Sequence, residues 1–287
     1  MIRLCAFADE AATDLPRQIA ALKRNNIALL ELRSIGGKNI KDLTDKEAAD
    51  YAAELARAGI AVWSIGSPLG KEEITVDFAA YEKTMRRVLT LARVFGAHYM
   101  RVFSFYHAYE QPKRVFDCMA RMVRLAAGYG VRLCHENEKE IWGDTADRVC
   151  RLLDAVPGLG SVYDPANFVQ VGERAEETLP RLAPRADYFH IKDVIAATGE
   201  LVPAGHGDGQ IEQLIRGIRD DRVLTLEPHL AVFAGYAGID KTPLKNRFHY
   251  ESNDAAFDAA AAALKQVLAR AGYHPEMKGE EQLWKRD

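Results

Sequence analysis

Three carboxylates and one imidazole lie near the carboxyl ends of four short apolar segments in the second half of the chain. The segments read VRLCHE, SVYD, DYFH and VLTLE, and they place there Glu136, Asp164, His190 and Glu227. Carboxylates that meet in one place repel each other unless a cation lies between them. The set therefore predicts one divalent metal ion. Because oxygen donors dominate, Mn²⁺ or Mg²⁺ is favoured, and Co²⁺ and Zn²⁺ are compatible.

The spacing of these four residues predicts that they converge. Consecutive members are separated by 28, 26 and 37 residues, each about the length of one strand, one helix and their loops. Side chains alternate along a strand, so Cys134 and Val162 should share the ligand face, while Leu224 and Leu226 should face outward. Taken singly, a carboxylate at a strand end is more often a helix cap or an ion-pair partner than a metal ligand. Four of them in register favour the metal.

The elements that must position these residues repeat along the chain, as short apolar runs that alternate with amphipathic helical segments. Eight βα units predict an α/β fold, a single-domain (β/α)₈ TIM barrel over residues 1–272, with a polar C-terminal tail at 273–287. A doubly wound open sheet is disfavoured because no GxGxxG motif follows the first apolar run. Gly or Asn before several runs predicts helix ends there. The predicted strands begin near Ile2, Ile27, Ile60, Ala97, Gly130, Leu159, Ala186 and Arg222.

Two connections are unusually long for a compact domain. One, SPLGKEEITVDF, follows the third strand, and the other, PHLAVFAGYAGIDKTPLKNRFHY, follows the eighth. Long connections without periodicity often serve as lids or binding loops. The loop after the eighth strand should therefore close over a substrate or pack against a second copy of the chain in a homo-oligomer.

Composition narrows the functional class. The formal net charge is −3, with no run of five or more like charges, so the chain does not resemble a nucleic-acid binder. It contains no apolar stretch long enough to span a membrane and no secretory signal pattern, which predicts a cytoplasmic protein without a membrane partner. The four cysteines form no CxxC pair and should be buried reduced thiols.

Five segments resemble signature strand ends of the xylose isomerase-like barrel superfamily, within its sugar phosphate isomerase/epimerase group. They are HENEKEIWGDT, VYDPANF, FHIKD, PAGHGDG and LTLEPHL, and the resemblance spans about residues 1–272. It implies one divalent metal bound by Glu136, Asp164, His190 and Glu227. In the ketose 3-epimerases of this group, the two metal-bound glutamates exchange protons with the sugar. By resemblance, the catalytic residues here are Glu136 and Glu227, and the activity is that of a metal-dependent isomerase or epimerase on a small sugar or keto-sugar.

Two departures from the ketose 3-epimerase pattern leave other activities open. Those enzymes show Asp-x-x-His after the sixth strand, where this chain has Asn167, and an Arg beyond the seventh-strand His, where this chain has Ala196 and Ala197. The HIKD segment is similar to that of inosose dehydratases, so a lyase or dehydratase on an inosose or 3-keto-glycoside is an alternative. Endonuclease IV, a DNA repair enzyme of the same superfamily, is a distant one, because His98 and His107 form no histidine cluster.

Six further residues are candidates for binding the substrate, since they lie next to the ligand motifs. Lys192 would hold a substrate oxygen or, alternatively, pair with Asp193 at the rim. Arg33 would grip the substrate or form a buried pair with Glu31. His135 should face away from the ligands. The candidate substrate-binding residues are Asn167, Lys192, His206, His229, Glu138 and Arg33.

Overall fold

The computed structural model describes residues 1–234, 236 and 243–286. In these residues, eight strands of one parallel sheet each begin within two residues of the predicted position. The strands β1 to β8 are Ile2–Ala6, Leu29–Leu32, Ala61–Gly66, Tyr99–Val102, Arg132–Glu136, Gly160–Tyr163, Tyr188–Ile191 and Arg222–Leu226.

Helices connect consecutive strands and cover the outside of the sheet. Several begin at side-chain caps: Asp14, Thr44 and Ser252 each accept a hydrogen bond from a first-turn amide. The predicted stops at Gly59 and Gly96 have positive φ, which ends a helix without steric cost. The α-helices α1 to α9 in the described residues are Leu15–Arg24, Asp45–Arg57, Phe78–Val94, Pro112–Ala127, Ala146–Ala155, Pro165–Gln170, Ala175–Leu182, Ile211–Gly217 and Asn253–Arg270.

The sheet closes on itself. Neighbouring strands pair in sequence order, and β8 returns to pair with β1 in parallel, with Ile2 opposite Arg222. The closed barrel confirms the predicted single-domain (β/α)₈ fold over the doubly wound alternative. Alternation along the strands is also confirmed: Cys134 and Val162 lie in an interior apolar cluster, whereas Leu224 and Leu226 belong to the layer under the helices.

The C-terminal segment differs from the prediction. Instead of a polar tail, residues 274–285 form a hairpin of β9 (His274–Lys278) and β10 (Glu281–Lys285), and β10 pairs antiparallel with β1. Leu283 and Trp284 are buried against the barrel, and Arg3 Nε donates to Glu281 Oε1 at 2.6 Å. The prediction was wrong because the outer strand β9 is fully exposed and polar, so it carries no period-2 apolar signal.

The long loop after β3 packs on the loop that follows β4. The Phe103 and Phe105 amides donate to the Leu69 and Gly70 carbonyls, each at 2.8 Å. Gly70 has φ +90°, and a Cβ there would lie 2.0 Å from the Phe103 carbonyl oxygen, so only glycine permits this approach.

Residues 235 and 237–242, in the predicted lid after β8, lie outside the described residues. Among the described helices, none has the length and hydropathy to cross a bilayer.

Candidate metal centre

The four predicted ligands converge at the carboxyl end of the barrel. Glu136 ends β5, Asp164 follows β6, His190 lies in β7 and Glu227 follows β8. One ligand atom from each side chain lies within 4.8 Å of the others, and all four residues are buried. The strand spacing read from the sequence therefore brings these side chains together.

A buried glutamate on β2 orients the histidine. His190 Nε2 lies 3.1 Å from Glu31 Oε2, while its Nδ1 lies 2.9 Å from Glu136 Oε1. Glu31 also accepts from Tyr188 and Thr225, each at 2.9 Å, so its carboxylate is fixed. Burial alone would lower the pKa of His190, but Glu136 and Glu31 raise it well above its ordinary value. With Nε2–H held by Glu31, Nδ1 is the nitrogen that faces the carboxylates.

Asp164 is both a helix cap and a member of the cluster. Its Oδ1 accepts the Asn167 amide at 3.1 Å, as the N-cap of α6, while Oδ2 is left without a hydrogen-bond donor, although Lys192 Nζ lies 3.1 Å away. The Asn137 side chain holds the backbone of Asp164 through two hydrogen bonds of 2.8 and 3.0 Å. Burial raises the pKa of Asp164 to about 6 against the opposing charge of Lys192. The helix cap uses only one oxygen and leaves the other facing the cluster, so the two roles that the sequence analysis treated as alternatives are compatible.

The donor set fits a divalent cation. Within the described residues, Asp164 Oδ2 and Glu227 Oε2 are buried and have no hydrogen-bond partner. Buried carboxylate oxygens without donors destabilise a fold by roughly 1–3 kcal/mol each. A cation bound among the four side chains would satisfy both oxygens and offset the repulsion between the carboxylates.

Two buried arginines hold the outer oxygens of the two glutamates. Arg101, on β4, donates to Glu136 Oε2 at 2.7 Å, and Arg33, after β2, donates to Glu227 Oε1 at 3.0 Å. Burial alone would raise the pKa of both glutamates. The pKa of Glu136 is nevertheless lowered, chiefly by His190 and Arg101, and that of Glu227 by Lys192 and His190. Both carboxylates are therefore ionised at neutral pH.

The sequence analysis missed several residues of this site. The same criterion, a charged residue at the end of an apolar run, would have found most of them in the first four strands. Asn137 gives no such signal, because an amide beside a ligand is common in surface turns. The missed residues are Asp9, Glu10, Arg101 and Asn137. Glu31 was considered only as a partner of Arg33, which pairs instead with Asp9 and Glu227.

Two of the predicted substrate residues lie inside the cluster. Lys192 Nζ is 3.1 Å from Asp164 Oδ2 and 3.8 Å from Glu227 Oε2. It does not pair with Asp193, whose carboxylate instead accepts backbone amides of the Gly-rich loop 205–209. Asn167 Nδ2 donates to Glu136 Oε1 at 3.3 Å and to the Asn137 carbonyl at 2.8 Å.

The remaining candidates lie at different distances from the ligands. Buried His229 has Nε2 3.6 Å from Glu227 Oε1, without a hydrogen-bond partner in the described residues. Glu138 accepts from Lys71 Nζ at 2.8 Å. His206 is exposed, and its ring packs at 6.4 Å from that of Phe248. His135 faces away from the ligands, as predicted, and lies 3.0 Å from Ser104 Oγ.

Two cavities adjoin the cluster and share Arg101 in their walls. The smaller has a volume of about 20 Å³ and lies on the ligands, with Asn167, Lys192 and His229 in its lining. The larger has a volume of about 260 Å³ and extends from Arg101 toward β2 and β3. His206 lines neither. The arrangement offers room for a small polar molecule that reaches the cluster with one end.

Comparison with known proteins is consistent with this architecture. A family model described as xylose isomerase-like TIM barrel matches residues 19–231. A search of curated proteins finds no significant match.

Solved structures of similar fold include the IolI protein with a bound zinc atom (TM-score 0.73, 14% identity, covering 94% of this chain and 99% of that one). L-ribulose 3-epimerase has a TM-score of 0.72 at 18% identity, covering 94% and 96%. The probable 3-DHS dehydratase AsbF from Bacillus anthracis has a TM-score of 0.68 at 17% identity, covering 92% and 98%. At these identities the similarity establishes the fold.

Proposed function

The chain belongs to the xylose isomerase-like TIM barrel family, and we propose that it is a metal-dependent isomerase or epimerase of a sugar or keto-sugar. The observation that carries the proposal is the cluster of four buried side chains whose ligand atoms lie within 4.8 Å of one another. The activities in the names of the epimerase and dehydratase structures support a small polyhydroxylated substrate.

The metal would be held by Glu136, Asp164, His190 and Glu227. Three carboxylates and one imidazole favour Mn²⁺ or Mg²⁺ over an ion that prefers thiolates. When bound, a divalent cation polarises a substrate carbonyl and lowers the pKa of the neighbouring C–H group. All other steps can be assigned to side chains of the protein.

Glu136 and Glu227 are the proposed proton acceptor and donor. Each has one oxygen held by an arginine, Arg101 for Glu136 and Arg33 for Glu227. The arginines keep both carboxylates ionised and fix their orientation, which a general base needs. One ionised glutamate abstracts the α-proton, and the other, once it has taken up a proton from solvent, donates that proton to the opposite face, which gives epimerisation. Donation to the adjacent carbon gives isomerisation.

Lys192 and Asn167 are proposed to hold the oxygens of the substrate. The Lys192 ammonium group is buried beside Asp164 and Glu227, where it can stabilise negative charge that develops on an oxygen during proton abstraction. Asn167 bridges Glu136 and the Asn137 carbonyl. It therefore positions the proton acceptor as well as lining the smaller cavity.

One observation favours elimination as a second candidate reaction. His229 Nε2 is buried beside Glu227, lines the smaller cavity and has no hydrogen-bond partner in the described residues. With its proton on Nε2, this imidazole can protonate a β-hydroxyl oxygen as it leaves, after a glutamate has removed the α-proton. The protein would then be a lyase or dehydratase acting on an inosose or a 3-keto-glycoside.

The deciding experiment is incubation of the Mn²⁺-loaded protein with a panel of keto-sugars, inososes and 3-keto-glycosides in D₂O. We expect deuterium at one carbon, detected by NMR and mass spectrometry, without loss of water. Loss of water or of an aglycone would assign the lyase reaction instead. If no member of the panel takes up deuterium or loses a leaving group, in protein shown to hold stoichiometric metal, both assignments are contradicted.

The role of Glu136 is tested in the same assay with Glu136→Gln. A neutral amide can still coordinate through oxygen but cannot accept a proton, so exchange should fall by roughly 10²–10⁴-fold at saturating Mn²⁺. Glu173→Gln is the control, since it changes a carboxylate outside the cluster that accepts the Ala146 amide at 2.7 Å. Wild-type exchange in Glu136→Gln would show that Glu136 is only a ligand.

A further inference from the structure

The larger of the two cavities has a cationic wall to which the proposed reaction assigns no group of the substrate. Among the described residues, its lining includes Arg33, Lys71 and Arg101 but only one carboxylate, Asp9. Building on the proposed function, we infer that this cavity binds a carboxylate of the substrate, and that the substrate is therefore a sugar acid rather than a neutral sugar.

Arg33 is not the residue that would bind the carboxylate of the substrate. Its Nε and Nη2 donate to the two oxygens of Asp9 at 2.9 and 3.0 Å, and its Nη1 donates to Glu227 at 3.0 Å. Each of its three nitrogens thus donates to a carboxylate of the protein. The pair shows, however, how a guanidinium in this cavity binds a carboxylate: through the edge that carries Nε, with one oxygen on each nitrogen.

The corresponding edge of Arg101 carries an N–H donor that has no acceptor in the described residues. Arg101 uses Nη1 for Glu136, and no acceptor in the described part of the chain binds its buried Nε. Its guanidinium is fixed by that ion pair and by stacking on Phe103, whose ring centre lies 4.6 Å from Cζ. A rigid, buried N–H without an acceptor is costly, and a ligand oxygen at this edge would satisfy it.

Lys71 adds a second charge on the same aromatic ring. Its Nζ lies 4.5 Å from the centre of the Phe103 ring and 2.8 Å from Glu138 Oε1. The loop that carries Lys71 is fixed, because the Gly70 amide donates to the hydroxyl of Tyr81 at 2.6 Å. Arg101 and Lys71 therefore present two positioned cations, with Phe103 as an apolar support between the cavity and the barrel.

The chemistry of the wall favours a carboxylate over a phosphate. The Nε edge of Arg101 matches the two oxygens of a planar carboxylate, as Asp9 on Arg33 demonstrates. A phosphate carries more charge and three terminal oxygens, and such groups are usually bound by clusters of backbone amides or by a helix N-terminus. The residues that line the cavity lie instead on separate loops and strand ends. Because Arg101 also binds Glu136, a carboxylate held there places the rest of the molecule over the proposed proton acceptor.

The test compares ligands that share a six-carbon polyhydroxylated chain and differ in the group at one end. Binding of gluconate, sorbitol and sorbitol 6-phosphate to the Mn²⁺-loaded protein is measured by calorimetry, for the wild type, Lys71→Met and Arg101→Lys. We expect gluconate to bind the wild type at least about tenfold more tightly than sorbitol, as is typical of charge-assisted hydrogen bonds. This preference should fall below about threefold in both variants. Lys46→Met, which removes an exposed ion pair on α2, should keep it.

Each other outcome overturns the inference. Equal affinities for gluconate and sorbitol would show that the cavity has no site for an anion. A preference that survives both substitutions would mean that the carboxylate binds the metal instead of Arg101 and Lys71. Tighter binding of sorbitol 6-phosphate, lost in both variants, would replace the carboxylate by a phosphate. The proposed function is tested separately by solvent exchange. Exchange on neutral keto-sugars, without a preference for gluconate, would support the proposed reaction and contradict the carboxylate site. A preference for gluconate, without exchange on any substrate, would support the carboxylate site and contradict the proposed reaction.

Discussion

The role of Glu31 can be tested by replacing it with its neutral isostere. Glu31 accepts hydrogen bonds from Ser64 and Tyr188 on one oxygen, and from Thr225 and the His190 ring on the other. In Glu31→Gln the amide oxygen can take over Thr225 and His190. The hydroxyls of Ser64 and Tyr188 can rotate to accept from the amide nitrogen. The side-chain network should survive, and the main loss is the negative charge behind His190 Nε2.

The magnitude follows from that loss. The bond from His190 Nε2–H changes from charge-assisted to neutral, which makes Nδ1 a weaker donor toward a cation. Substitutions of groups that orient a metal-bound histidine typically reduce metal affinity by about 10–100-fold, or about 1.4–2.7 kcal/mol. We therefore expect the Kd for Mn²⁺ to rise by this factor, although none of the four ligands has changed.

The assay is competition for Mn²⁺ against a chelating dye, with circular dichroism to verify that the variant is folded. Thr225→Val is the matched control, because it removes one neutral hydrogen bond from the same carboxylate oxygen and keeps the charge. Its Kd should stay within about threefold of wild type. A wild-type Kd in Glu31→Gln would refute the view that Glu31 prepares His190 for a metal.

Three further predictions follow from the same site. Glu227→Gln should lose most bound Mn²⁺ by elemental analysis, since it deletes a charged ligand, and full occupancy would contradict the assignment. Burial raises the pKa of Glu10 to about 8, so the folded state holds that proton more tightly and the free energy of unfolding should fall as pH rises from about 5 to 8. Urea titrations should show this loss reduced by at least about 1 kcal/mol in Glu10→Gln, and parallel pH profiles would contradict it. Asn137→Ala should lower the free energy of unfolding by about 1–3 kcal/mol, because two backbone groups of Asp164 lose their partners; a change below about 0.5 kcal/mol would show that water replaces the amide.

Much of the fold was predictable because the βα repeat appears directly in the sequence. Parallel strands covered on one face by helices give continuous apolar runs, and Gly or Asn at the helix ends marks the boundaries. The four-residue cluster was predictable for the same reason. Residues separated by about one βα repeat lie at similar heights on neighbouring strands of a barrel. The hairpin at 274–285 was not, because its burial depends on Leu283 and Trp284 alone.

The network around the ligands was harder to predict than the ligands themselves. Arg33 and Glu227 are 194 residues apart and lie at the ends of β2 and β8, which are separated by β1, so spacing in units of one βα repeat does not specify this pair. Arg101 and Glu136 lie on adjacent strands 35 residues apart, but the spacing does not show that the two side chains reach each other. That Asp164 caps α6 with one oxygen and turns the other to the cluster was missed for a different reason, because the sequence does not assign the partners of its two oxygens.

The hairpin at the end of the chain has a consequence for how the protein folds during synthesis. β1 pairs with β2, but it also pairs with β8 and β10, so Ile2 lies opposite both Arg222 and Trp284. Ribosomes add roughly 5–20 residues per second, so the edge of β1 that pairs with β8, and the Ile2–Arg3 end of its other edge, must wait for tens of seconds before their partners exist. Throughout that time unpaired strand edges are available to other chains. Closure by β8 is thus a late event with very high contact order. Truncation before residue 281 removes only the partner of Ile2 and Arg3, and we expect it to lower the soluble yield through aggregation at that exposed edge.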